Sequence, residues 1–165
     1  MKLKKIIFIN IIALILLSCG SNLNTTRSLS VSTPDIGIPL NSKYLEISAP
    51  SGWNSLATDD SLFVMIRNAS DQQILINQVS GIRIFAFAAN KWVEVKNKAT
   101  FSPVEVTIDP SPSYDPTKLG ETLVVPDLTG YPKASKIRIF IIGTLIGNQQ
   151  NTQEIASYVD VVLNP

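Results

Sequence analysis

The hydrophobic and polar positions of this chain change rhythm twice. Residues 6–17 form an apolar run broken only by Asn10. Residues 21–41 carry few large apolar side chains. From residue 43 onward, short apolar segments recur between turn residues, the pattern of an all-β domain. Tyr44-Leu45-Glu46-Ile47 alternates and predicts a first strand. In residues 61–67, Leu62, Val64 and Ile66 share one face, and Phe63, Met65 and Arg67 the other. The turn cluster Asn68-Ala69-Ser70-Asp71 precedes a short buried strand, Ile74-Leu75-Ile76.

Residues 82–88 alternate again, with Ile82, Ile84, Ala86 and Ala88 opposite Arg83, Phe85 and Phe87. Ala89-Asn90-Lys91 is short enough to join them to Trp92-Val93-Glu94-Val95 as a β-hairpin. Further strands are expected at 104–108, 121–125 and 158–163. Residues 137–142 are the most apolar and predict a central strand. Gly143, Gly147 and Asn148-Gln149-Gln150-Asn151 read as a long loop after it. No window beyond the first apolar run keeps a helical stripe, although residues 51–60 have room for a helical turn.

Composition narrows the chemistry. The 165 residues contain no histidine and one cysteine, so the commonest general base and metal ligand are missing and no internal disulfide is available. The net charge is +1. Without Lys2, Lys4 and Lys5 the rest holds 11 basic against 13 acidic residues. With no basic stripe, a nucleic-acid role has no electrostatic support.

The single cysteine lies at the end of the first apolar run. A basic start, an apolar core shorter than the roughly 20 residues of a membrane span, and Ser18 before Cys19 follow signal-peptide grammar. Leu16-Leu17-Ser18-Cys19-Gly20 resembles the lipobox of bacterial lipoproteins. That resemblance implies diacylglycerol on the Cys19 thiol, cleavage before Cys19 and acylation of its new amino group. Residues 1–18 would be removed, and two or more acyl chains would anchor the product stably in a membrane. By resemblance to enteric-type lipoprotein sorting, Gly20 and Ser21, with no Asp next to Cys19, permit the outer membrane, so the outer membrane or cell surface is expected ahead of the inner membrane. The alternatives are a plain signal peptide with an incidental cysteine, or an uncleaved anchor. Residues 19–41, rich in Ser, Thr, Asn, Gly and Pro, then read as a flexible linker. Within it, Ile36-Gly37-Ile38-Pro39-Leu40 either docks on the domain as an early edge segment or continues the tether.

Residues 42–165 form the domain. Asn90-Lys91-Trp92-Val93-Glu94-Val95, the Pro-rich Asp109-Pro110-Ser111-Pro112, the strand Leu119-Gly120-Glu121-Thr122-Leu123-Val124-Val125 and the corner Leu128-Thr129-Gly130-Tyr131 resemble bacterial immunoglobulin-like domains. Arg67-Asn68-Ala69-Ser70 is similar to the end of the second strand of that class. The resemblance covers roughly residues 43–163. It implies an immunoglobulin-like β-sandwich of about 7–9 antiparallel strands, here without a Cys pair between the sheets. A fold of this kind supplies no function by itself.

Asp109 and Asp115 offer oxygen ligands but lack calcium-loop spacing, and Asp59-Asp60 and Asp127 read as turn chemistry. Glu94, Glu105 and Glu121 sit at polar phases of strands, where solvent-facing carboxylates are expected. No nucleophile elbow, zinc-protease, P-loop or C-x-x-C motif occurs. No cofactor or metal is called for. Trp53, Trp92 and Tyr114, with Tyr131, are the candidate aromatic contacts for a glycan or protein partner. Trp92 has a second role open to it, covering a sheet face beside Phe85 and Phe87. The expected activity is non-catalytic adhesion, assembly or ligand binding at the cell envelope. The alternatives are a small protease inhibitor presenting residues 109–117 and a carbohydrate-binding module using Trp53 or Trp92.

Overall fold

A computed structural model describes residues 32–49, 61–101, 104–147 and 152–163. Within them the chain is nearly all β. The strands are β1 (Leu45–Ser48), β2 (Leu62–Asn68), β3 (Gln73–Asn77), β4 (Ile82–Ala88), β5 (Lys91–Val95), β6 (Glu105–Ile108), β7 (Gly120–Val124), β8 (Lys136–Ile146) and β9 (Thr152–Val162). A single 3-10 turn, Pro116–Lys118, stands between β6 and β7 among the described residues. One antiparallel sheet has the order β1-β2-β7, and the other joins the remaining six strands around β8.

The larger sheet is simpler than its strand count. β9 pairs β8 along its whole length, from Lys136↔Val162 to Ile146↔Thr152. On the other edge of β8 lie β4, paired with residues 136–141, and β3, paired with residues 144–146. β3 and β4 are thus two halves of one row, interrupted by the excursion Gln78-Val79-Ser80. Gly81 pinches that excursion shut by donating its N–H to the Asn77 carbonyl at 2.7 Å. A Cβ on Gly81 would stand 2.6 Å from that oxygen and 2.8 Å from the Ile142 carbonyl, so only glycine fits. β5 and β6 flank β4 and β3 on the far side.

The two sheets share one aliphatic core. Leu45, Leu62, Val64, Ile66 and Val124 from the small sheet meet Ile74, Ile84, Ile137, Ile139 and Ile141 from the large one. The alternation of β2 and β4 explains which residues face inward, because a strand's side chains alternate between its faces. The expected hairpin is present: β4 and β5 are joined at Ala89 and Asn90, both with positive φ (49° and 62°). Two such residues make the type I′ turn that matches strand twist.

Three boundaries differ from the pattern reading. β8 runs through Gly143 to Ile146, where a loop was expected. Gly143 is not a breaker here: a Cβ on it would lie 2.5 Å from Ile74 Cγ2, so it lets β3 and β8 close up. β9 begins at Thr152 rather than residue 158. The linker reading, which ran to residue 41, ends earlier. Leu40 forms a parallel bridge with Ala156, and the Ala156 N–H donates to the Pro39 carbonyl at 3.0 Å. Cys19, the expected leader, Trp53, Asp59, Asp60 and the expected helical turn at 51–60 lie outside the described residues.

Where the chain crosses from β2 to β3 it is tied by a buried polar knot. Asn68 Nδ2 donates to the Gln72 and Ile108 carbonyls at 2.6 and 2.9 Å. Its Oδ1 accepts from the Ser70 N–H and hydroxyl at 3.0 and 2.6 Å. Every side-chain group of a fully buried Asn is thereby satisfied, which burial demands.

Candidate functional site: the outer face of the large sheet

Alternation in β4, β5, β8 and β9 sends a second set of side chains away from the core. Register lines them up in rungs. Trp92, Phe87, Lys136 and Val162 form one, Glu94, Phe85, Arg138 and Asp160 the next, and Arg83, Phe140 and Tyr158 a third. Aromatic and charged groups alternate along and across the rungs. Phe85 and Phe140 meet edge to face at 5.5 Å, and Phe140 meets Tyr158 at 5.4 Å. Phe140 is 0% exposed although it points away from the core. The centre of this outer face, Phe85, Arg138 and Phe140, is therefore buried as well, within a more exposed rim.

Arg138 is its centre. Its guanidinium pairs in bidentate fashion with Asp160 at 2.6 and 2.7 Å. It lies 4.0 Å from the Tyr158 ring centre and 4.8 Å from that of Trp92. The Asp160 hydrogen bond raises its pKa further, so it stays charged at any working pH. Arg83 pairs with Glu94 at 2.7 and 2.8 Å in the same fashion. That hydrogen bond holds the Glu94 carboxyl below the usual carboxylate range.

Both arginines also hold the chain that precedes β1. Arg138 Nη1 donates to Thr33 Oγ1 at 3.0 Å, and Arg83 Nη1 to the Ile36 carbonyl at 3.4 Å. Pro34, Ile36 and Ile38 are half-buried while Thr33, Asp35, Gly37 and Pro39 are exposed. Residues 33–41 thus lie as a strap over this face. It turns at Gly37, whose φ of 73° and N–H bond to Asp35 Oδ1 reverse the chain, and it ends beside β9.

Trp92 sits at the lower corner of the layer. Its ring is 5.1 Å from Phe87, with the Lys136 ammonium 5.0 Å from its centre. Its Nε1–H is buried and has no acceptor. A ligand stacking on Trp92 would compete with Lys136 and Arg138 for the ring.

Tyr114 is on the other side of the molecule. It is 69% exposed, in a loop held against the small sheet by the Arg67 Nη1–H donating to the Ser111 carbonyl at 3.2 Å. That loop walls an open groove of about 380 Å³ lined by Pro110, Pro112, Tyr114 and Lys118. Tyr131 packs against the aliphatic core instead. The structure therefore does not bring Trp92, Tyr114 and Tyr131 together.

The acidic candidates are equally dispersed. Asp115 accepts from the Thr117 N–H and hydroxyl at 2.9 and 2.7 Å and caps the 3-10 turn. Asp127 does the same for Thr129. Those bonds lower both carboxyl pKa values. Asp109 accepts from Gln73 Nε2 at 3.0 Å. Glu94 belongs to the large sheet and Glu121 to the small one. Among the described residues no three metal-ligating side chains converge.

The sequence reading placed Arg83, Phe85 and Phe87 on one face but missed Lys136, Arg138 and Tyr158. The signal was the other phase of residues 136–140, hidden because every intervening position is isoleucine. No protein-family model matches the chain, and no curated protein matches it. Among solved structures it is similar to the X-ray structure of Northeast Structural Genomics Consortium target SoR45. That match has 13% identity, covers 73% of this chain and 83% of that one, and has a TM-score of 0.32, too low to carry a fold or functional argument.

Proposed function

We propose that this protein is a lipid-anchored, non-catalytic binding protein of the bacterial cell envelope, its domain an immunoglobulin-like sandwich displayed at the outer membrane or cell surface. The observation that carries this reading is Leu16-Leu17-Ser18-Cys19-Gly20, which closes a short apolar run after three lysines and holds the chain's one cysteine. Two antiparallel sheets around an aliphatic core are consistent with the sandwich. Labelling with a palmitate analogue in a bacterial host tests the anchor. The native chain is expected to take up label and float with membranes, and Cys19→Ala to lose both. Label retained by Cys19→Ala would overturn it.

A second reading, a small protease inhibitor, draws on the loop carrying Tyr114. Its exposed tip is pre-organised by the Arg67 bond to Ser111, by Ser111 Oγ donating to the Ser113 carbonyl at 2.9 Å and by the Asp115 cap. Rigid exposed loops bind at low entropic cost. Inhibition of a secreted protease that is lost in Tyr114→Ala supports it. A broad panel with no inhibition removes it.

A further inference from the structure

The strap that lies over the large sheet is continuous with the small one. Residues 33–41 run through a short turn into β1, which pairs β2. Among the described residues, every hydrogen bond the strap makes outside itself and that turn goes to the large sheet. Arg138 in β8 holds Thr33, Arg83 in β4 holds the Ile36 carbonyl, and Ala156 in β9 bonds Pro39 and Asn41. These partners require an extended segment of this sequence, from the same molecule or from another.

The turn keeps the strap on its own sheet. The Asn41 carbonyl accepts from the Tyr44 and Leu45 N–H groups at 3.2 and 3.1 Å, and Asn41 Oδ1 accepts from the Tyr44 N–H at 3.2 Å. Large apolar side chains are left in water on both sides of it: Leu40 is 49% exposed and Tyr44 37%. Leu40 stays exposed although its backbone is bridged to Ala156. Closing the strap within one copy thus half-buries Pro34, Ile36 and Ile38 and leaves the apolar residues beside the hinge uncovered.

We propose that the strap exchanges between two copies of this chain, residues 33–40 of each lying on the outer face of the other's large sheet. The turn at 41–44 opens to make the connection, and Leu40 and Tyr44 of the two copies cover one another where the connections pass. The contacts under the strap are the same in the closed monomer and in the dimer, so they cancel. What decides is the apolar area newly covered at the hinge, set against the turn bonds released and the entropy of association. The dimer therefore depends on concentration. The occupant is a second copy because the surface is matched to this strap. Thr33 offers a hydroxyl to Arg138, Ile36 offers a carbonyl to Arg83, and Gly37 at φ 73° turns the chain between two half-buried isoleucines. The proposal is independent of the lipoprotein reading.

The test uses the full chain carrying Cys19→Ser, with a benzophenone amino acid in place of the exposed Leu40. Isotopically light and heavy copies are refolded together from urea at rising concentration and irradiated. Peptides joining position 40 to β9 are then weighed. In a closed monomer each joins two parts of one copy and carries one isotope. Exchange is expected to give light–heavy pairs, approaching about half of these crosslinks as the dimer saturates and falling severalfold on dilution. The same group at Asp35, another exposed strap position, repeats the reading with Leu40 intact. Crosslinks of one isotope alone, at both positions and every concentration, overturn the proposal. Light–heavy crosslinks that reach the partner anywhere but the large sheet overturn it as well, since the copies then meet by another surface.

Discussion

The two faces of the large sheet solve burial in different ways. The inner face is aliphatic: Ile84, Ile137, Ile139 and Ile141 meet the small sheet and need only shape. The outer face buries Phe85 and Phe140 under charged neighbours and a strap, and needs partners as well as shape. Its cations lie over aromatic rings and its carboxylates take both ends of a guanidinium. An inner position is thus sensitive to volume, whereas an outer one is sensitive to volume, charge and the strap together.

The largest test of this contrast is Phe140→Ala. If the outer face is a true packed layer, it should cost about 3–5 kcal/mol in chemical denaturation, as for a core aromatic. A loss below about 1 kcal/mol would reduce the layer to a surface decoration. Ile139→Ala, one residue along and 0% exposed on the inner face, should cost about 3 kcal/mol. The two should differ in kind: Phe140→Ala is expected to release the strap to proteolysis at residues 33–40, and Ile139→Ala is not.

Arg138→Met comes next, at about 2 kcal/mol, because it keeps much of the volume but strands a partly buried Asp160. Adding Asp160→Asn should recover part of that loss, since the stranded charge is gone; no recovery would assign the effect to packing alone. The smallest effect is acid sensitivity. The pKa of Glu94 is lowered in the folded chain, first by its hydrogen bond from Arg83. Its contribution is therefore present above the ordinary value of 4.5 and lost as pH falls through the lowered folded value. Half-exposed, it should give less than about 1 kcal/mol, read as a smaller acid-induced loss of stability in Glu94→Gln.

Much of the inner face was legible in the sequence because alternation reports it directly. Leu62, Val64 and Ile66, and Ile82, Ile84 and Ala86, were placed on one side by period alone. The outer layer was not legible, because it depends on register between segments far apart in the chain. Arg138 finds Asp160 and Trp92 only once β8 is flanked by β9 and β4. The first half of β9, Thr152-Gln153-Glu154-Ile155-Ala156, has a weak apolar pattern and becomes strand because β8 supplies its backbone partners. Asn68 read as a turn residue for the right chemistry, but its fully buried position, bonded to Ile108, depends on β6 arriving beside β3. Of the candidate aromatics, Trp92 packs on Phe87, in line with the sheet-covering role left open for it beside a ligand contact, whereas its cationic neighbours came from strands whose order no local pattern encodes.

The bridge between Leu40 and Ala156 also bears on how the molecule is made. Leu40, ahead of β1, finds its partner in β9, and β9 completes the pairing of β8, the strand at the centre of the large sheet. A nascent chain emerging from a ribosome cannot close this structure until β9 has been synthesised. Loop closure over so long a stretch is entropically slow. Such a chain stays open for longer than one built from neighbouring hairpins, so its unfolded form presents unpaired strand edges until the final pairing is made.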